Sequence, residues 1–99
     1  MAKYLLTNKA VEDLAAIWEY TYRVWSERQA DKYYELLTGS FLKILSNPRI
    51  GRHYEQIGDS VFGLRIGSHI IFYELLENSN ILIVRILHQR MDLKNRLTD

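Results

Sequence analysis

The chain contains no cysteine and a single proline among its 99 residues. The absence of cysteine excludes disulfide bonds, thiolate catalysis and zinc sites with cysteine ligands. The chain also has almost no excess of either charge, because 13 lysines and arginines against 12 aspartates and glutamates leave a formal net charge of +1. A near-neutral chain is a poor match for proteins that coat duplex DNA or ribosomal RNA through many phosphate contacts. We therefore expect no specific DNA binding by this chain.

Long apolar runs are missing too. No stretch approaches the roughly 18 apolar residues that a membrane-spanning helix needs, and the first residues lack the apolar segment of a secretory signal. What is present is ordinary globular composition, with 47% hydrophobic and 25% charged residues. These features predict one domain over residues 1–99 that is cytoplasmic, has no contact with a membrane and needs no metal or cofactor.

The first half of the chain has helical periodicity. From Lys9 to Trp25, apolar residues recur every three or four positions and predict one amphipathic helix. Ser26-Glu27-Arg28-Gln29 has the form of a capping box, so a second helix should begin there and continue to Asn47-Pro48. The short connection between the two predicts an antiparallel helical hairpin.

The second half is rich in β-branched and aromatic residues. Three runs predict strands after a loop over Arg49–Ser60, namely Val61–Ile66, His69–Leu76 and Asn80–His88. Gly67-Ser68 suits a type II′ hairpin turn, and Asn78-Ser79 suits the second turn. With a short first strand at Lys3–Leu6, the order is β-α-α-β-β-β. The predicted fold class is α+β, a helical hairpin packed on an antiparallel sheet.

The two turns determine which side chains share a face of the sheet. The inner face, which the helices should cover, is almost wholly apolar and contains Phe62, Leu64, Ile66, Ile71, Tyr73, Leu75, Leu82, Val84 and Ile86. The outer face mixes charged and apolar side chains and contains Val61, Arg65, Ile70, Phe72, Glu74, Ile81, Ile83, Arg85 and Leu87. An exposed apolar patch bordered by charges favours a partner surface. The alternative is that a loop or the tail Met91–Asp99 covers it.

Two pairs of residues could carry chemistry. Arg65 and Arg85 would share the outer face, where two guanidinium groups can hold a phosphate or the carboxylates of a partner. Without such a ligand they would form a surface ladder with Glu74 that contributes little energy. His69 and His88 form a cross-strand pair. That pair permits acid–base catalysis, but it is more typical of structural histidines bonded to backbone or tyrosine groups.

The order of elements and several motifs resemble the ParE branch of the RelE/ParE toxin superfamily. The motifs are Gly67-Ser68-His69-Ile70-Ile71-Phe72-Tyr73, Arg85-Ile86-Leu87-His88-Gln89-Arg90-Met91-Asp92 and Asn47-Pro48-x-x-Gly51. The opening from Tyr4 to Trp18 fits as well, so the likeness spans essentially the whole chain. The resemblance implies a bacterial toxin of a type II toxin–antitoxin operon, which arrests growth and serves plasmid maintenance.

The resemblance also implies partners. ParE-type toxins are held to inhibit DNA gyrase without being enzymes, and a cognate ParD-like antitoxin neutralises them in a hetero-oligomeric complex. RelE-type relatives instead cut mRNA on the ribosome, and Arg65, Arg85 and His88 would be the catalytic residues of that alternative. A non-toxic relative that only binds antitoxin is the third alternative. The near-neutral charge and the few basic residues of the Arg49–Ser60 loop favour gyrase over the ribosome.

The residues expected to bind these partners lie in two places. The antitoxin-binding set is on the outer face and contains Arg65, Ile70, Phe72, Glu74, Ile83 and Arg85. The target-binding set is in the last strand and the tail and contains His88, Arg90, Met91 and Lys94. A groove on the exterior of the helical hairpin, near Trp18, Tyr22 and Tyr33, is a further candidate surface.

Overall fold

The computed structural model describes residues 2–91, in which two helices pack on a five-stranded sheet. The strands are β1 (Tyr4–Leu6), β2 (Arg52–His53), β3 (Val61–Ile66), β4 (His69–Leu75) and β5 (Ile81–His88), and the helices are α1 (Asn8–Val24) and α2 (Glu27–Ser46). This arrangement confirms the predicted α+β class and adds one short strand, β2, within the predicted loop. Among the described residues, no helix combines the length and the apolar character that crossing a bilayer requires.

The sheet has the order β1-β5-β4-β3-β2 and is mixed rather than purely antiparallel. β1 pairs in parallel with β5, with Tyr4 opposite Ile81 and Leu6 opposite Ile83. All other neighbouring strands in the described chain run antiparallel. The periodicity of the sequence does not specify the direction of a three-residue strand, because its partner comes near the far end of the chain.

Local signals determine where both helices begin. Thr7 caps α1, and its side-chain oxygen accepts a hydrogen bond from the Ala10 N–H at 3.0 Å. Ser26 caps α2 in the same way through the Gln29 N–H at 3.0 Å, which confirms the predicted cap. α2 ends at Ser46, shortly before Pro48, because proline cannot continue the helical hydrogen bonds.

A hydrophobic core lies between the helices and the inner face of the sheet. Its buried members are Ala10, Leu14, Leu37, Phe41, Ile44, Phe62, Ile71, Tyr73, Ile81, Ile83 and Ile86. The Tyr73 hydroxyl is satisfied there, since it donates to the Pro48 C=O at 2.7 Å and accepts from the Gly51 N–H at 3.0 Å. Burial raises the pKa of Tyr73, so the hydroxyl stays protonated and anchors the loop after α2 to the sheet.

The β3–β4 hairpin has the predicted register. Leu64 lies opposite Ile71, and Ile66 lies opposite His69. Gly67 has a φ of +57°. Type II′ turns require this left-handed conformation at their first central position, and glycine adopts it without strain. The turn prediction therefore gives the correct register for the whole hairpin.

The β4–β5 hairpin departs from its predicted register near the turn. Its loop contains three residues, Glu77–Ser79, because the Leu76 N–H donates to the Asn80 C=O at 2.8 Å and closes the loop there. A β-bulge at Val84 then separates two successive pairs of the ladder. Beyond the bulge the predicted pairing returns, with His69 opposite His88.

The extra loop residue changes which side chains of β5 face the helices. Ile81 and Ile83 are fully buried in the core, although the sequence prediction put Leu82 and Val84 there and put Ile81 and Ile83 on the outer face. That assignment is wrong, because a shift of one residue exchanges the two faces of a strand. Ile83 therefore has no free side chain to offer an antitoxin.

Candidate partner-binding surfaces

A groove of about 560 Å³ crosses the outer face beside β2 and β3. Arg52 and Arg65 line it, together with Tyr54, Ile70 and Gln89. Neither arginine pairs with a carboxylate among residues 2–91. Arg52 lies over the Tyr54 ring, with its guanidinium carbon 5.2 Å from the ring centroid. Two guanidinium groups that have no carboxylate partner in the described chain and lie beside apolar side chains are suited to the carboxylates of a partner.

The chain itself covers part of the outer face. Val61, Ile70, Phe72 and Leu87 form a second apolar cluster against Tyr54 and Ile57. The Tyr54 ring packs edge-on against Phe72 with 5.1 Å between centroids. Gly63 makes room for that ring, since a Cβ at this position would lie 2.7 Å from Tyr54 Cε1. The prediction that Phe72 is free on an open surface is therefore wrong, and the alternative of a covering loop holds at this point.

Arg85 is bound within the fold. Its Nε donates to Asp13 Oδ2 at 2.8 Å and its Nη2 donates to Asp13 Oδ1 at 3.0 Å, with the two side chains 16% and 15% exposed. Asp13 Oδ2 also accepts the Ile86 N–H at 2.9 Å. This bidentate pair joins α1 to β5, so the prediction that Arg85 stands beside Arg65 as an outer-face cation is wrong. No local pattern reveals it, because the two partners are 72 residues apart.

Arg65 and Glu74 keep their predicted places on the outer face, whereas the prediction that Ile70 is free there is wrong, because it is buried in the second apolar cluster. Arg65 is exposed, and Glu74 is half-buried opposite Val61. Because Arg85 binds Asp13, the surface ladder of Arg65, Glu74 and Arg85 does not form.

His69 and His88 face each other across β4 and β5 as predicted, with ring centroids 5.4 Å apart. His69 Nδ1 and the Tyr33 hydroxyl share a hydrogen bond of 2.7 Å, and that hydroxyl also accepts the Ser68 N–H at 3.2 Å. Burial, reinforced by His88, lowers the pKa of His69 to about 4 despite the opposing charge of Asp13. A neutral His69 bonded to Tyr33 is the structural role that the sequence favoured.

The residues of the nuclease alternative do not meet in one site. Arg65 lines the outer-face groove, whereas Arg85 and His88 line a separate cavity between α1 and β5. His88 Nδ1 is engaged as well, because it accepts the Arg90 N–H at 3.1 Å. Residues 2–91 contain no group of three or more histidine or acidic side chains that could hold a metal ion. The described chain thus does not bring Arg65, Arg85 and His88 together in one site.

The predicted target-binding residues lie at the end of β5. His88 is half-buried, and Arg90 and Met91 are exposed in the turn that follows. The Met91 N–H donates to the His88 C=O at 3.0 Å and closes this turn. Lys94 lies outside the described residues.

The exterior of the helical hairpin carries exposed aromatic rings. Trp18 and Tyr22 stack with 5.3 Å between ring centroids, and the Trp18 Nε1–H donates to Asp31 Oδ1 at 3.0 Å. Trp25 is 73% exposed. Tyr33 does not belong to this surface, because its hydroxyl binds the β3–β4 turn. The stacked pair makes the hairpin exterior a second candidate contact surface.

Comparisons with known proteins agree with the fold and with the family resemblance. A family model described as "ParE toxin of type II toxin-antitoxin system, parDE" matches residues 4–93. Toxin ParE1 of Mycobacterium tuberculosis (strain H37Rv) is 38% identical over 97% of this chain and 98% of its own length. Toxin ParE of Escherichia coli is 30% identical over 100% of this chain and 96% of its own. A solved structure described as a chromosomal ParDE TA system from P. aeruginosa has a TM-score of 0.70 and 24% identity, covering 89% of this chain and 95% of that one.

Proposed function

The chain belongs to the family of ParE toxins of type II toxin–antitoxin systems, and we propose that it inhibits DNA gyrase and is neutralised by a ParD-like antitoxin. The family match over residues 4–93 is the observation that carries this proposal. The proposed toxin acts in the cytoplasm by binding rather than by catalysis. It is held in a hetero-oligomeric complex until the antitoxin is lost, and growth then stops.

The outer-face groove is the proposed antitoxin-binding surface. Arg52 and Arg65 supply positive charge that no carboxylate within residues 2–91 neutralises. The half-buried Tyr54 supplies apolar contact, whereas Ile70 is only 8% exposed. An antitoxin segment with acidic and apolar side chains would complement both features. Arg52 replaces Arg85 as the second cation proposed beside Arg65. Glu74 remains part of the proposed surface.

The end of β5 is the proposed contact with gyrase. His88, Arg90 and Met91 lie directly after the part of β5 that Asp13 holds, because Asp13 accepts the Ile86 N–H. Binding residues placed next to such an anchored strand lose little conformational freedom when the target binds. Lys94, which lies outside the described residues, belongs to the proposed contact on the sequence prediction alone.

A supercoiling assay tests the proposal. The purified chain is mixed with gyrase and relaxed plasmid, alone and after incubation with a purified ParD-like antitoxin. We expect supercoiling to fall as free chain is added and to return at saturating antitoxin. Gyrase that stays fully active at every ratio of chain to enzyme would contradict the proposal.

A double variant, Arg90→Ala with Met91→Ala, tests the proposed contact with gyrase. We expect inhibition to weaken by about tenfold, which corresponds to roughly 1.4 kcal/mol of binding energy. Arg28→Ala, at an exposed position near the start of α2, is the matched control and should leave inhibition unchanged. Equal inhibition by both variants would remove these two residues from the contact.

A further inference from the structure

One edge of β5 is only partly covered by another strand. β1 pairs with β5 along Ile81–Ile83 and goes no further. Beyond the bulge, the segment Arg85–His88 has β4 on one side and no strand on the other among residues 2–91. Within residues 2–91, the sheet therefore has an open strand edge beside the middle of α1.

Every second residue of this edge directs its backbone N–H and C=O away from β4. In an antiparallel pair of strands, the backbone N–H and C=O groups of one residue bond the neighbouring strand, and those of the next residue point away from it. The Ile86 N–H points away, since it donates to Asp13 Oδ2 at 2.9 Å, and the Gln89 N–H points inward, since it donates to the Ser68 C=O. The backbone N–H of His88, two residues after Ile86, must therefore also point away from β4. Within the described chain, the Ile86 C=O and the His88 N–H have no hydrogen-bond partner.

A cavity of about 330 Å³ lies between this edge and α1. Arg85, Ile86 and His88 are among the residues that line it from β5. Asp13, Ala16, Ile17 and Tyr20 line it from α1. This volume is in the lower part of the range of ligand sites, roughly 300–1,000 Å³. One wall therefore presents backbone hydrogen-bonding groups, and the other presents mainly apolar side chains.

We propose that this cavity binds an extended peptide segment of a partner protein, added to β5 as a strand in line with β1. Strand addition uses backbone hydrogen bonds for affinity and side-chain pockets for specificity. β1 already shows that this edge of β5 accepts a parallel strand. The peptide pairs with the Ile86 C=O and the His88 N–H, and it places one bulky apolar side chain against Ile17 and Tyr20.

Titration with a short peptide tests the proposal on the full chain and needs neither gyrase nor antitoxin. The probe is acetyl-Thr-Phe-Thr-amide, followed through the backbone amide signals of the ¹⁵N-labelled protein. We expect the largest shifts at His88, Ile17 and Tyr20. A matched peptide with N-methylated backbone amides should bind at least about fivefold more weakly, because it retains the aromatic side chain and loses the backbone donors. Equal affinity of the two peptides would overturn strand addition and indicate a small apolar pocket.

Two tryptophan variants locate the site. Ala16→Trp fills the cavity and should lower the affinity of the peptide by at least about tenfold. Ala15→Trp adds the same bulk at the next exposed position, which does not line the cavity, and should change the affinity less than about twofold. Circular dichroism confirms that both variants are folded. Unchanged binding by Ala16→Trp, shifts confined to other residues, or no shifts up to the solubility limit of the peptide would each overturn the proposal.

Discussion

Arg65 and Arg85 lie on strands of the same sheet and look equivalent in the sequence, but they serve different regions of the molecule. Arg85 is 16% exposed at its side chain and forms a bidentate ion pair with Asp13. Arg65 is exposed in the outer-face groove and has no carboxylate partner within residues 2–91. A carboxylate from a distant element, here Asp13 on α1, thus decides whether a strand arginine is held within the fold.

Burial makes the two arginines differ in energy as well as in geometry. A part-buried ion pair is costly to break from one side, because the remaining charge loses its counter-ion in a poorly hydrated place. An exposed arginine is hydrated and contributes little to stability. The comparison therefore predicts large effects on unfolding at Asp13 and effects on binding at Arg65.

Removal of the Asp13 carboxylate is the strongest test. Asp13→Ala deletes the acceptor of two Arg85 bonds and of the Ile86 N–H. We expect the free energy of unfolding to fall by about 2–4 kcal/mol, measured by urea denaturation. Glu12→Ala, at the exposed neighbouring position, is the control and should stay within about 0.5 kcal/mol of the original chain. A loss below about 1 kcal/mol for Asp13→Ala would mean that the pair does not anchor α1 to β5.

The pH dependence of stability tests the region around His69. The pKa of His69 is lowered from 6.5 to about 4 in the fold, chiefly by burial and then by His88. The unfolded chain therefore binds a proton in this window that the folded chain excludes, and stability falls as the pH drops from about 6.5 towards 4. Above that window the contribution of His69 is complete.

Urea titrations at several pH values measure this dependence. His69→Gln, which cannot titrate, should flatten the slope of stability against pH, because the proton excluded by the folded His69 is no longer involved. Gln56→Asn exchanges one exposed side chain that cannot titrate for another. It is the control and should leave the slope unchanged. An identical slope for His69→Gln and the original chain would contradict the assignment of the buried neutral imidazole.

Local signals account for the parts of the fold that could be predicted from the sequence. Ser26 is a capping residue, Pro48 stops a helix, and Gly67 permits the left-handed position of a tight turn. Each acts on neighbouring residues only, so the helices and the β3–β4 hairpin follow from the sequence alone. The β4–β5 hairpin does not, because Asn78 and Ser79 both adopt positive φ in a three-residue loop.

The candidate site was harder to predict than the fold. β2 has only two residues, too few to show alternation, so Arg52 and Tyr54 could not be placed on the outer face. Asp13 has the pattern of an ordinary polar residue on α1, and its ion pair depends on the position of β5. Contacts between distant elements, rather than local preference, therefore decide which charges remain available to a partner.

The affinity for the antitoxin tests the proposed role of Arg65 in the outer-face groove. Arg65→Ala should weaken the complex by about tenfold, or roughly 1.4 kcal/mol, as measured by calorimetry. The loss should shrink at high salt, because exposed charges are screened. Arg28→Ala is again the matched control, since it removes an exposed arginine outside the groove. Equal affinity of the Arg65 and Arg28 variants would indicate that the antitoxin binds elsewhere, with the hairpin exterior around Trp18 the next surface to test.

The smallest expected effect is that of Arg65→Ala on the free energy of unfolding. Arg65→Ala should change the free energy of unfolding by less than about 0.5 kcal/mol, since an exposed cation without a partner in the described chain has no native interaction to lose. Arg85→Ala should cost clearly more in the same urea series, because it leaves Asp13 as a part-buried carboxylate that retains the Ile86 N–H but no counter-ion from Arg85. If the two variants unfold at the same urea concentration, the carboxylate of α1 does not distinguish the two arginines, and Arg85 would have to be considered again as a binding residue.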